Sequence, residues 1–281
     1  MPKIKIVSDS SCDLSPELLQ KYDISIIPFF INLGGKILKD GIEVTPNDIY
    51  EYVNLNNVLP GTIACSIEDF RQFFVKWKNE GYEIICHTVS SDMSCSYQNA
   101  RIAAEDMDGV YLVDSRNLST GVGHVVLNAA IMVQSGMKAK EIVSELELLI
   151  PRVRSSFILN NLEYMCKGGR CSSLMLLGSN ILKIKPEIIV EGGMMKIGHK
   201  FRGLFSKVLE EYVDMRLENN SNIIPNRIFI THSGCSNEVI ASVRKRITYH
   251  LQFDEIIETI AGSTITSHCG PNTLGILYIE K

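Results

Sequence analysis

Short apolar runs recur along the first half of the chain, and each stops at a hydroxyl-rich turn that leads into a helical pattern. Ile4-Lys5-Ile6-Val7 ends at Ser8-Asp9-Ser10-Ser11, Ile84 to Val89 ends at Ser90-Ser91-Asp92-Met93-Ser94, and Val110 to Val113 ends at Asp114-Ser115. A fourth run, Arg227-Ile228-Phe229-Ile230, ends far downstream at Thr231-His232-Ser233-Gly234. Helix starts are marked by Ser15-Pro16-Glu17, Thr45-Pro46-Asn47-Asp48 and Ser66-Ile67-Glu68-Asp69, where a capping hydroxyl precedes proline or an acidic first turn. Residues 24–31 read as one strand, edge-like or irregular because of Pro28. Ser119, Gly121 and Gly123 read as a loop ahead of a helix reaching about Ser135, and Ser94 reads as a helix cap. Strands separated by helices predict parallel pairing with right-handed crossovers. Strand ends that open onto helix N-termini also gather donors suited to the head of a small anionic ligand.

The pattern changes near residue 150. A helix from Ala139 to Ile150 stops at Pro151, a strand follows at 156–159, and a helix is expected near 172–182. Pro186 to Val190 and Met194 to Ile197 flank a turn at Glu191-Gly192-Gly193, which is a hairpin signal. A helix at 203–218, a further strand and helix, and two terminal strands complete a mixed sheet, with Ser267-His268-Cys269-Gly270-Pro271 as a tight turn. The predicted fold class is α/β with two domains: a parallel-sheet α/β domain over 1–150 and an α/β domain with a mixed sheet over 151–281.

Composition narrows the function classes. The 281 residues are 45% hydrophobic and 21% charged, as in an ordinary globular protein, and the net charge of −4 argues against nucleic acid as a partner. No apolar stretch has the length of a membrane span and no signal peptide precedes the first strand, so a cytoplasmic location is expected. The eight cysteines form no CxxC pair and read as reduced thiols. His232, Cys235, His268 and Cys269 are the one conceivable metal set, and their generic spacing favours no metal and no cofactor.

Taken in order, the local motifs resemble the DegV family nearly end to end. They are Ile6 to Leu14, Asp40-Gly41, Ser91-Asp92-Met93-Ser94-Cys95-Ser96-Tyr97-Gln98-Asn99-Ala100, and Val113-Asp114-Ser115 with Ser119, Gly121 and Gly123. In the second half they are Leu162-Glu163-Tyr164, Lys167-Gly168-Gly169-Arg170, Lys183 to Pro186, and Gly262, His268, Gly270, Pro271 and Gly275. The resemblance implies one long-chain fatty acid held in an apolar tunnel between two domains. It places Thr62, Ser94 and His268 at the carboxylate, and makes Arg170 and Arg202 candidates for head-group support or partner docking. In the kinase-associated branch of the family, the bound acid is presented to a separate fatty acid kinase that phosphorylates its carboxylate. Three departures bear on the mouth of the site: Ile63-Ala64-Cys65 in place of a more polar stretch, and Cys95 and Asn272 in place of glycines.

Two readings compete on the residues alone. Ser94, His268 and one of Asp9, Asp13 or Asp114 form a possible nucleophile, base and orienter, as in a Ser/His hydrolase acting on a lipid-like ester. No G-x-S-x-G elbow surrounds Ser94, and no P-loop is present. Thr62 and Ser94 also serve as plain caps or turn residues, and the arginines as surface charge. Against these, a carboxylate at a helix terminus gains roughly 0.3–2 kcal/mol, while an acyl tail gains about 0.8 kcal/mol per buried methylene. The whole-chain resemblance implies a non-catalytic fatty-acid carrier as the expected function, with tail burial dominating its affinity.

Overall fold

The computed structural model describes residues 3–169 and 184–281. Four strands build an all-parallel sheet: β1 (Lys3–Asp9), β2 (Ile24–Ile27), and further on β6 (Tyr82–Thr88) and β7 (Val110–Asp114), in the order β2-β1-β6-β7. Between them run α1 (Pro16–Lys21), β3 (Phe30–Leu33), β4 (Lys36–Lys39), α2 (Pro46–Asn56), β5 (Gly61–Ile63) and α3 (Ile67–Asn79). The stretch read as one strand over 24–31 is thus two. Pro28 has no N–H to give a ladder, so the chain leaves the parallel sheet there and re-pairs as β3 in a small antiparallel sheet ordered β4-β3-β5.

Capping marked the helix starts well. Ser15 accepts from Leu18 N, and Thr45 with Asp48 and Ser66 with Asp69 form reciprocal boxes ahead of α2 and α3. After β6 comes α4 (Ser96–Ala103), and after β7 come α5 (Thr120–Gln134) and α6 (Ala139–Leu149). Gly121 and Gly123 belong to α5 rather than to a loop. A Cβ on Gly121 would meet Ser155 and Asn117 side chains, and one on Gly123 would lie 3.0 Å from the Cys12 carbonyl. The glycines let this helix press close to its neighbours.

The second part of the chain forms a mixed sheet ordered β10-β9-β8-β13-β11-β12. Its strands are β8 (Val153–Leu159), β9 (Lys185–Glu191), β10 (Met194–Phe201), β11 (Arg227–Ser233), β12 (Glu255–Ile260) and β13 (Thr273–Ile279). Only β11 and β12 pair in parallel. The helices are α7 (Glu163–Lys167), α8 (Phe205–Leu217), α9 (Asn237–His250) and α10 (Ser263–Cys269). The β9–β10 turn holds Gly192 and Gly193 at φ 59° and 84°, as a two-residue hairpin with right-handed twist requires.

Among the described residues, three large apolar clusters pack the two larger sheets and their helices, and a fourth, small one lies at Ile31, Val44 and Ile49. Phe70 and Phe74 of α3 and Ala100 and Ala103 of α4 cover one face of the parallel sheet at Val7, Ile84 and Cys86. On the other face, Val122, Val125, Val126 and Ala129 of α5 meet Ile6 and Ile85, and the same cluster takes in Phe229 and Leu277 of the mixed sheet. Helices α8 and α9 close the far face of that sheet through Val208, Leu209, Tyr212, Val243 and Ile247. The two sheets therefore share α5, and the C-terminal ends of β1, β6 and β7 are directed toward the mixed sheet.

Candidate functional site

A cavity of about 230 Å³ lies where those strand ends meet the mixed sheet. Phe29, Ala64, Val89, Met93 and Leu118 line it from one side, and Phe157, Met165, Met195, Ile265 and Leu277 from the other. Thr62, Ser94 and His268, half-buried and 206 residues apart at the extremes, all line this one space.

Thr62 sits on β5, paired to Ile31, and its Oγ1 is 2.8 Å from His268 Nε2. His268 occupies the last turn of α10, not a free turn as the sequence pattern implied. A Cβ on Gly168 would fall 2.9 Å from its Nδ1, so a glycine there admits the ring. Ser94 lies just ahead of α4, whose first residue, Ser96, donates its N–H to Ser94 Oγ at 3.2 Å. The N-cap itself is Cys95, which makes no side-chain cap, so Ser94 stands one residue ahead of the cap position expected for it.

Buried carboxylates position these groups. Asp9 accepts from Val89 N and Ser96 Oγ, both at 2.9 Å, and from Ser11, which pins the Ser94 loop to the end of β1. Burial raises its pKa above the usual carboxylate range. Asp40 accepts from Ser263 N, Thr264 N, Thr264 Oγ1 and Ser10 Oγ, so a residue from the other end of the chain caps α10. Asp13 joins Ser119 Oγ to Gly262 N at the same helix start. Ser119 itself has φ 52° and ψ −141°, a backbone state that non-glycine residues rarely hold.

Burial pushes the Asp13 carboxyl up to about 8. Because this value is raised above the unfolded one, the group's contribution to stability is fully present below about pH 4 and is lost as pH rises through 8. Between pH 6 and pH 8, stability should fall by about 2 kcal/mol more in the native protein than in Asp13→Asn. Urea denaturation at several pH values measures this. Parallel pH profiles would show Asp13 already ionised at neutral pH.

The groups named for a hydrolase make other bonds among the described residues. His268 Nε2 faces Thr62, Ser94 is bonded to Ser96 N, Asp9 and Asp13 hold the groups just named, and Asp114 accepts from Ser91 N and Arg116 N. Cys235 and Cys269 direct their thiols to the carbonyls of Thr273 and Gly270, and among the described residues no group of three His, Cys, Asp or Glu gathers as a metal set. Among the described residues no helix is long and apolar enough to cross a membrane.

The family model described as "Uncharacterised protein, DegV family" matches residues 3–281. The chain belongs to the DegV family. A DegV domain-containing protein of Clostridium acetobutylicum is 31% identical over 283 residues, covering 100% of both chains. A fatty acid-binding protein of Thermotoga maritima is 28% identical, covering 97% of this chain and 96% of its own. A fatty-acid-binding DegV family protein from Thermus thermophilus has a solved structure that superposes with a TM-score of 0.91 at 28% identity, covering 100% of each chain.

Within this DegV fold, Arg202 is exposed just beyond β10 and is not among the cavity-lining residues. Arg170, and the helix expected near 172–182, lie outside the described residues. The departures from the DegV pattern fit their sites. Cys95 has an ordinary backbone (φ −77°, ψ 1°) that does not demand glycine, and its side chain lines the cavity. Asn272 takes φ 57°, the left-handed state that asparagine tolerates better than most residues. Asp40 and Asp13 hold the start of α10, a role that neither the Asp40-Gly41 step nor the Ile6 to Leu14 motif reveals.

Proposed function

We propose that this chain binds a single long-chain fatty acid in the cavity between its two sheets, as a carrier rather than an enzyme. Thr62, Ser94 and His268 hold the carboxylate. The observation that carries this reading is the Thr62–His268 hydrogen bond on the wall of an otherwise largely apolar cavity that Ser94 also lines. With the proton on His268 Nε2, that ring donates to Thr62, and the threonine hydroxyl proton is then directed to a carboxylate oxygen. Ser94, whose oxygen already accepts from Ser96 N, supplies a second donor. The relatives described as fatty acid-binding lend support at 28% identity.

The carboxylate, kept near the end of the cavity, is presented to a separate fatty acid kinase for acyl-phosphate formation. Arg170 and Arg202 are assigned to head-group support or to docking of that kinase. We place the domain boundary near residue 150, at the junction of α6 and β8, and the protein in the cytoplasm.

Native mass spectrometry of the purified protein, followed by denaturing extraction, tests the ligand directly. It should release one long-chain acid per chain. Thr62→Val and Ser94→Ala should each weaken acid binding by about tenfold or more, the value of one hydrogen bond to a charged group, with the fold intact. A protein that carries no acyl compound and takes none up would end this reading. Steady ester hydrolysis abolished by Ser94→Ala would replace it with an enzyme.

A further inference from the structure

We infer that Arg116 is a positioning residue, a clasp that ties the β9–β10 hairpin to the loop bearing Ser94 and so governs how an acyl ligand is held and released. The ligand part of this inference rests on the fatty-acid reading above; the clasp itself does not.

Arg116 follows β7 with φ 51°, a left-handed backbone unusual for a non-glycine residue. Its own N–H is held by Asp114 Oδ1 at 3.0 Å. The guanidinium reaches three separate segments. Nη1 donates to Ser91 Oγ at 3.0 Å and lies 3.5 Å from Asp114 Oδ2, while Nη2 meets Asp92 Oδ2 at 2.5 Å. Nη2 also donates to the carbonyl of Gly192 at the hairpin turn. Beside it, Ser90 Oγ donates to the Gly193 carbonyl at 2.6 Å. The fit is close: a Cβ on Gly193 would fall 2.6 Å from Arg116 Nε.

Both clasped segments reach the cavity. Met93 N and Ser94 N bond back to the Ser90 carbonyl, so the turn that carries Ser94 is closed on the residue that holds the hairpin. Met93, Ser94 and Cys95 line the cavity from the loop, and Met195, two residues past Gly193, lines it from the hairpin. Releasing the turn therefore loosens a tail-contacting wall and a carboxylate donor together. The ion pairs are more than a third exposed at Arg116 and at Asp92, so their effect on global stability is small. What they control is geometry, through a planar fork that a lysine ammonium cannot reproduce across a carbonyl and two carboxylates.

Two measurements on Arg116→Ala, Arg116→Lys and Ser90→Ala test the clasp. Amide hydrogen exchange of the protein without added ligand should rise by about tenfold at 90–95 and at 191–195 together in Arg116→Ala, with Arg116→Lys close to it and distant strands unchanged. The dissociation rate of a fluorescent long-chain acid into acceptor vesicles should rise by about tenfold, and the preference for an acid over the alcohol of equal length should shrink. Ser90→Ala should share part of both effects, and its combination with Arg116→Ala should be less than additive. A general loss of packing would not change the acid-over-alcohol preference through Ser90 and Arg116 alike. Unchanged exchange in both segments overturns the clasp whatever the ligand, and a dissociation rate within twofold of the native value overturns its control of the ligand. If exchange rises in both segments while the native protein retains no acid, the clasp stands and the fatty-acid reading falls.

Discussion

Replacing palmitic acid with decanoic acid should weaken binding by roughly three orders of magnitude, more than any single change at the head group. The exchange removes six methylenes, each worth about 0.8 kcal/mol on burial, for a loss of about 5 kcal/mol before any compensating slack in the cavity. Phe29, Val89, Leu118, Phe157, Ile265 and Leu277 supply the surface against which those methylenes pack. By contrast, deleting the Thr62 or Ser94 hydroxyl removes one charge-assisted hydrogen bond, worth about 1.5–3 kcal/mol at most. Affinity is thus expected to follow tail length, while the polar trio fixes which end lies where. Competitive displacement of a fluorescent acid across a chain-length series, below micellar concentrations, measures the slope. Affinities that do not change with length, together with collapse of binding in Thr62→Val, would mean that the cavity serves a small polar acid instead.

Asp40→Ala should lower the stability of the whole protein by about 3–5 kcal/mol, because it strips a buried helix start of its acceptor. The carboxylate receives two backbone N–H groups of α10 and two hydroxyls, and Asp40 is only 3% exposed. The hydroxyls can find new partners, whereas Ser263 N and Thr264 N have no substitute unless water enters. An anion at a helix N-terminus adds about 0.3–2 kcal/mol to this loss. Because His268 rides the other end of the same seven-residue helix, acid affinity should fall together with the urea midpoint. Asp40→Asn keeps one acceptor and should lose about half as much stability. An unchanged midpoint and affinity in Asp40→Ala would show that α10 is held by its apolar contacts alone.

What the sequence made legible was local. Capping hydroxyls with acidic partners at Thr45/Asp48 and Ser66/Asp69 identified helix starts because both partners lie within one turn. The Gly192-Gly193 turn was equally plain, since only residues tolerant of positive φ suit it. Pro28 announced an irregularity but not its consequence, a strand divided between two sheets, because that depends on where β5 arrives. Gly121 and Gly123 misled for a related reason. Inside α5 they serve close packing against Ser155 and Cys12, which are distant in the chain or in another element. Thr62, Ser94 and His268 came from family resemblance, and nothing local reveals that β5 and α10 approach within a hydrogen bond. Asp40 shows the limit most clearly: its partners at Ser263 and Thr264 are 223 and 224 residues away, and no pattern of periodicity carries that information.

The capping of α10 by Asp13 and Asp40 has a further consequence for how the chain behaves as one object. Acceptors made early in translation complete a helix made last, so a polypeptide cut between α6 and β8 would leave donors on one piece and acceptors on the other. Unfolding should accordingly proceed in a single cooperative transition, and grafting the tail half of a relative onto this front half should succeed only where the graft presents N–H groups to both acids.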